Sequence, residues 1–148
     1  MSVLVEGYAS LFGFVDREGD VVRRGAFRES LAARPVAPLL LAHDPRLAAG
    51  ASTHLREDDR GLFVKGAIDP TRTAGRLAIE RIRRGVDGLS IGFRVRASRP
   101  RMQGGRDLFV VDLVEISIVS EPMAPAARLT RIGWSGAVAP NPETTHAA

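Results

Sequence analysis

The chain has 148 residues, a net charge of +4 and no cysteine. That length suits one compact domain, and the missing thiols exclude disulfides, thiolate metal sites and a cysteine nucleophile. No run approaches 18 apolar residues, so no membrane-spanning helix is predicted, and the low aromatic content (5%) offers little for nucleic-acid bases to stack on. Lys65 is the one lysine among 21 basic residues. The arginines are scattered among acids, which predicts a solvated basic surface rather than a nucleic-acid groove.

Val3 and Val5 alternate with Leu4 and Glu6, which predicts a strand over 3–12 rather than a signal peptide. "DREGD" (16–20) is a turn cluster, and "GAFRESLAAR" (25–34) predicts a short helix with Phe27 and Leu31 facing inward. "LLLAHD" (39–44) predicts a buried strand ending at His43 and Asp44. "EDDRG" (57–61) predicts a hairpin turn between two further strands. Asp69 and Pro70 predict the start of a helix over 70–84, with Ala74, Leu77, Ala78 and Ile82 inward and Gly85 as its stop. A period-2 segment follows: Leu89, Ile91, Phe93 and Val95 share one face, Gly88, Ser90 and Gly92 the other. Residues 98–107 predict a loop, 108–120 a long strand, and 135–148 a disordered tail. The domain is therefore expected over 1–134. The balance is mainly β with two helices, and a closed or nearly closed antiparallel barrel would leave the fewest exposed edges.

Three residues carry candidate chemistry. Gly88-Leu89-Ser90-Ile91-Gly92 fits G-x-S-x-G, but a nucleophile elbow needs a strand before the serine and a helix after it. Here the order is reversed. Ser90 is instead a mid-strand serine between two bare positions, open to an approaching peptide or packed against a helix. His43 is better placed to activate it than His54, near a polar turn, or His146, in the tail. Glu115 lies on an apolar strand face and needs a partner. A histidine N–H would satisfy it, as in a Ser-His-acid triad, and so would an arginine.

The segments "GYASLFGFVDREGDVVRRGAFRESL", "PLLLAHD", "GLFVKGAI", "GLSIGF" and "LVEISIVSEPMAPAA", in this order, resemble the HK97-type phage prohead proteases over about residues 5–130. Such homologues also occur in prophages and gene transfer agents. The resemblance implies a fold similar to the herpesvirus capsid-maturation proteases: a β-barrel wrapped by helices, with a serine nucleophile and a histidine base. It carries the histidine onto His43, the serine onto Ser90 and the acid onto Glu115.

The expected function is a serine endopeptidase that cleaves the scaffolding segment of the major capsid protein precursor, and itself, inside the procapsid in the bacterial cytoplasm. Self-association is compatible with that role. No metal or cofactor is implied, and neither a membrane nor a nucleic acid is an expected partner. Backbone N–H groups of Met123, Ala124 or Ala126 are candidates to stabilise an oxyanion. The competing expectation is a non-enzymatic capsid assembly protein that keeps the barrel without the chemistry.

Overall fold

The computed structural model describes residues 2–134 and 137–140. Strand β1 (Val3–Leu11) alternates buried and half-exposed positions, as its sequence predicts. A loop then leads to the two-residue β2 (Val21–Val22) and helix α1 (Arg28–Ala33). This helix is shorter than the 25–34 expected: Gly25–Phe27 form the turn before it. Phe27 is nevertheless fully buried, and its N–H donates to Glu57 Oε1 at 2.8 Å. Strands β3 (Pro38–Leu41), β4 (Asp44–Glu57) and β5 (Gly61–Ile68) follow, with the 58–60 turn where the charged cluster predicts it.

Helix α2 (Thr73–Arg83) begins three residues later than expected. Asp69 does not cap it: its Oδ1 accepts from the Thr71 N–H and hydroxyl, closing a local turn instead. Ala74, Ala78, Ile79 and Ile82 are buried, and the helix packs on β4 and β5. Each fully buried isoleucine contributes about 1.5–3 kcal/mol. Gly85 ends the helix with φ 98°.

Strands β6 (Gly88–Pro100) and β7 (Arg106–Val119) form a long hairpin. Half of the segment expected as a loop over 98–107, its two ends, is therefore strand, and residues 101–105 form the connecting turn. The polar residues there sit on an exposed ribbon, where no alternation marks them as β. Strand β8 (Leu129–Trp134) pairs with β1, and β9 (Ala137–Pro140) pairs with β8. Residues 137–140 of the expected disordered tail are thus strand; 135, 136 and 141–148 lie outside the described residues.

The nine strands form one mainly antiparallel sheet in the order β2-β7-β3-β4-β5-β1-β8-β9, with β6 on the other side of β7. Parallel pairing occurs where β2 and β3 meet opposite ends of β7. The fold is mainly β, as expected, but the sheet is not a closed barrel. A single bridge between Gly88 and Arg128 spans the gap between β6 and β8. The core sits inside this curved sheet, with Phe27, Leu39, Leu41, Leu62, Ile116 and Leu129 almost fully buried. Among the described residues no helix is long and apolar enough to cross a membrane.

Candidate active site

The ends of β3, β6 and β7 build one wall of a cleft. Leu41 pairs with Asp44, so the β3–β4 loop is two residues, Ala42 and His43. Their φ angles are 52° and 59°. Positive φ at both central positions is the type I′ pattern, which matches the twist of the flanking strands. Alanine and histidine adopt it only at a cost of about 1–3 kcal/mol each. Two hydrogen bonds to β7 hold the turn: Ala42 N–H donates to Ile118 O at 3.0 Å, and His43 N–H to Ser117 Oγ at 3.0 Å.

Glu115 is buried on β7, and its Oε1 accepts from His43 Nδ1. The Ser117 hydroxyl donates to Oε2 at 2.8 Å. Both carboxylate oxygens are therefore bonded, and no arginine is needed to pair this acid. The hydrogen bond from the ring, followed by the nearby negative charge, raises the His43 pKa above 6.5 against the opposing effect of partial burial. Half of the imidazole stays open to solvent, with 44% of the side chain exposed.

Across the antiparallel ladder Ser90 pairs with Ser117, and Gly92 with Glu115. Directly opposed residues point to the same face, with Cβ atoms about 4.5–5.5 Å apart. Register alone therefore sets Ser90 beside the group that holds His43. Ser90 is 5% exposed. Among the described residues no group hydrogen-bonds to its hydroxyl, which is not sealed off either. Ser90 and His43 line the same cleft.

The two glycines of G-x-S-x-G now have separate reasons. A Cβ at Gly88 would lie 2.5 Å from Val119 O and 2.9 Å from Pro122 Cδ. A Cβ at Gly92 would lie 2.5 Å from Glu115 Oε1. One bare position admits a loop and the other admits the acid. Just after Gly92 the register shifts by one extra residue on β7, which sets Phe93 opposite Leu113, and Phe93 packs against the core together with Ile91 and Val95, as the alternation predicts. Phe93 also lines the cleft.

The far wall comes from the 12–20 loop, with Phe14, Asp16 and Glu18 at the cleft. The 120–128 loop closes one end. Leu89 N–H donates to Ala127 O at 2.8 Å, and Leu129 N–H to Asp87 O at 2.7 Å, which pins this loop beside the start of β6. Met123 and Ala124 line the cleft, whereas Ala126 does not. The Arg128 guanidinium is held by Asp87 Oδ1 at 2.6 Å and Pro125 O at 2.8 Å. His54 lies on β4 opposite Lys65, away from this cleft, and His146 is outside the described residues.

The structure thus brings His43, Ser90 and Glu115 to one place. Sequence reasoning passed over Ser117, Ala42 and the reason for Gly92. The E-x-S spacing of Glu115 and Ser117, which puts both on one strand face, was the available signal for the first.

The phage HK97 prohead protease is 36% identical over 95 residues, covering 62% of this chain and 42% of the phage protein. The chain therefore spans under half the length of that relative. Among solved structures, the KSHV protease in complex with a hexapeptide phosphonate inhibitor is similar with a TM-score of 0.57 at 16% identity. That match covers 91% of this chain and 66% of the viral one, and shows a shared fold. The family model described as caudovirus prohead serine protease matches residues 1–136. With that match across nearly its whole length, the chain belongs to the caudovirus prohead serine protease family.

Proposed function

We propose that the chain is a serine endopeptidase of capsid maturation in which Ser90 is the nucleophile, His43 the base and Glu115 the group that orients His43. The observation that carries this reading is the meeting in one cleft of a serine hydroxyl, without a hydrogen-bond partner among the described residues, and a histidine held at Nδ1 by a buried carboxylate. With Nδ1–H committed to Glu115, Nε2 is the nitrogen left to accept a proton.

Ser90 Oγ attacks the scissile carbonyl carbon while its proton passes to His43. The imidazolium then gives that proton to the leaving amine as the C–N bond breaks. Water repeats the cycle on the acyl-enzyme, with His43 again as base and then acid. Glu115 offsets the positive charge at each imidazolium stage. Met123 and Ala124 line the cleft, and their N–H groups are the candidates to receive the oxyanion.

The substrate in this reading is the scaffolding segment of the major capsid protein precursor, together with the protease itself. Cleavage takes place inside the procapsid, in the cytoplasm of a bacterial host. Family membership and the phage relative support that setting. Labelling of co-assembled proheads with a serine-selective fluorophosphonate, followed by peptide mapping, tests the chemistry. The expected adduct is on Ser90 and is absent from denatured chain and from His43→Ala. An adduct confined to another serine would reject the assignment.

A further inference from the structure

Ser117 is fully buried and makes two bonds whose directions are not interchangeable. Its oxygen accepts the His43 backbone N–H at 3.0 Å. A backbone N–H can only donate, so the serine's own single proton is free for Glu115 Oε2 at 2.8 Å. Glu115 therefore receives a proton bond on each oxygen, from Ser117 on Oε2 and from His43 Nδ1 on Oε1. The bonds form a ring that leaves His43 by its backbone and returns to it by its side chain. An ionised carboxylate, which only accepts, satisfies every member of that ring.

From this ring we propose that Ser117 is a positioning residue, which fixes Glu115 as a carboxylate facing Nδ1 and locks the His43 turn to the same strand. The proposal rests on the serine-protease reading for its purpose, though not for its geometry. Gly92 supports it from the opposite side, since the carboxylate occupies the space a Cβ there would need. So does the backbone strain: a residue at φ 59° stays there only when its surroundings hold it, and the Ser117 bond is one of the holds.

The other charged groups around His43 are its chain neighbour Asp44, which is paired with Arg46, then Asp16, Glu18 and Asp20 across the cleft, and Arg81 and Glu121 in the hollow behind the turn. Asp20 is paired with Arg106, and Glu121 with Arg17. Among the described residues none of these groups bonds to the ring, and Glu115 dominates its titration.

The test is a pH titration of the full chain carrying ¹⁵N-labelled histidine, with the His43 signals assigned by their loss in His43→Gln. In the wild type, the neutral His43 ring should carry its proton on Nδ1. Ser117→Ala should shift its titration midpoint downward, toward that of an ordinary histidine, and part of the ring population should move its proton to Nε2. Ser117→Thr keeps the hydroxyl and should behave as the wild type. If Ser117→Ala does not fold, Ser117→Cys carries the same comparison, because a thiol is a weak donor of similar size. A folded Ser117→Ala or Ser117→Cys chain with the wild-type midpoint and tautomer would overturn the proposal. These readouts use no substrate, so their failure leaves the Ser90 assignment standing. A failed Ser90 adduct likewise leaves the ring of bonds standing.

Discussion

Gly92 and Glu115 oppose each other across the β6–β7 ladder, and the Glu115 carboxylate lies where a side chain at position 92 would be. An added Cβ would meet Oε1 at 2.5 Å, Cγ at 2.8 Å and Cδ at 2.9 Å. All three distances are too short, so Gly92→Ala must push the acid away from His43. The expected cost in stability is about 1–3 kcal/mol, as for other overpacked sites. The expected loss in kcat is larger, since a shift of about 1 Å in catalytic geometry can cost around 10²-fold. Thermal melts beside kinetics on a peptide substrate separate the two effects. Wild-type kcat in Gly92→Ala would contradict the role given to Glu115.

The Ala42-His43 turn predicts an asymmetry between substitutions at position 42. Glycine suits φ 52° and should leave stability within about 1 kcal/mol of wild type, the relief of strain being offset by a freer unfolded chain. Valine, branched at Cβ, should destabilise by about 1–3 kcal/mol and lower activity with it, because the same turn carries His43. Chemical denaturation of Ala42→Gly and Ala42→Val checks the order.

Activity and stability should respond to pH in opposite directions. The hydrogen bond to Glu115 raises the His43 pKa above 6.5. The base must be neutral to accept a proton, so the acid limb of the kcat/KM profile should lie above that of an ordinary histidine, with the rate falling below it. For stability the sign reverses. A group with a raised pKa in the folded state adds stability that is complete below its unfolded value, near 6.5, and is lost as pH rises through the folded pKa. Glu115→Gln should move the acid limb downward and flatten this part of the stability profile. Identical acid limbs in the two proteins would contradict the pairing.

Much of this architecture was legible in the chain. The alternation of Val3, Val5 and their neighbours marked β1, and "EDDRG" marked the β4–β5 turn. Other features carried no local signal. Asp69 reads as a helix cap, yet its carboxylate turns to Thr71, a competing bond that periodicity does not reveal. The exposed stretch from Ser98 to Pro100 reads as loop because it lies open to water and no alternation is required. Ala42-His43 lacks the Asn-Gly signature of a tight hairpin, since the turn is held by Ser117 and Ile118 from a distant strand. The same long-range pairing explains why Ser90, His43 and Glu115 could be named from the chain while their meeting could not be derived from spacing.

The central claim, that Ser90 is the nucleophile, is tested most directly by the intact mass of the capsid precursor after co-expression with wild-type chain or Ser90→Ala. The Ser90 hydroxyl has no hydrogen-bond partner among the described residues, so its removal should change stability by less than about 1 kcal/mol. Loss of a nucleophile should lower turnover by several orders of magnitude, and His43→Ala should add little to it, because the two act as a unit. The account predicts a shortened precursor with the wild type and a full-length precursor with a Ser90→Ala chain that melts near wild type. A precursor shortened normally by folded Ser90→Ala would contradict it.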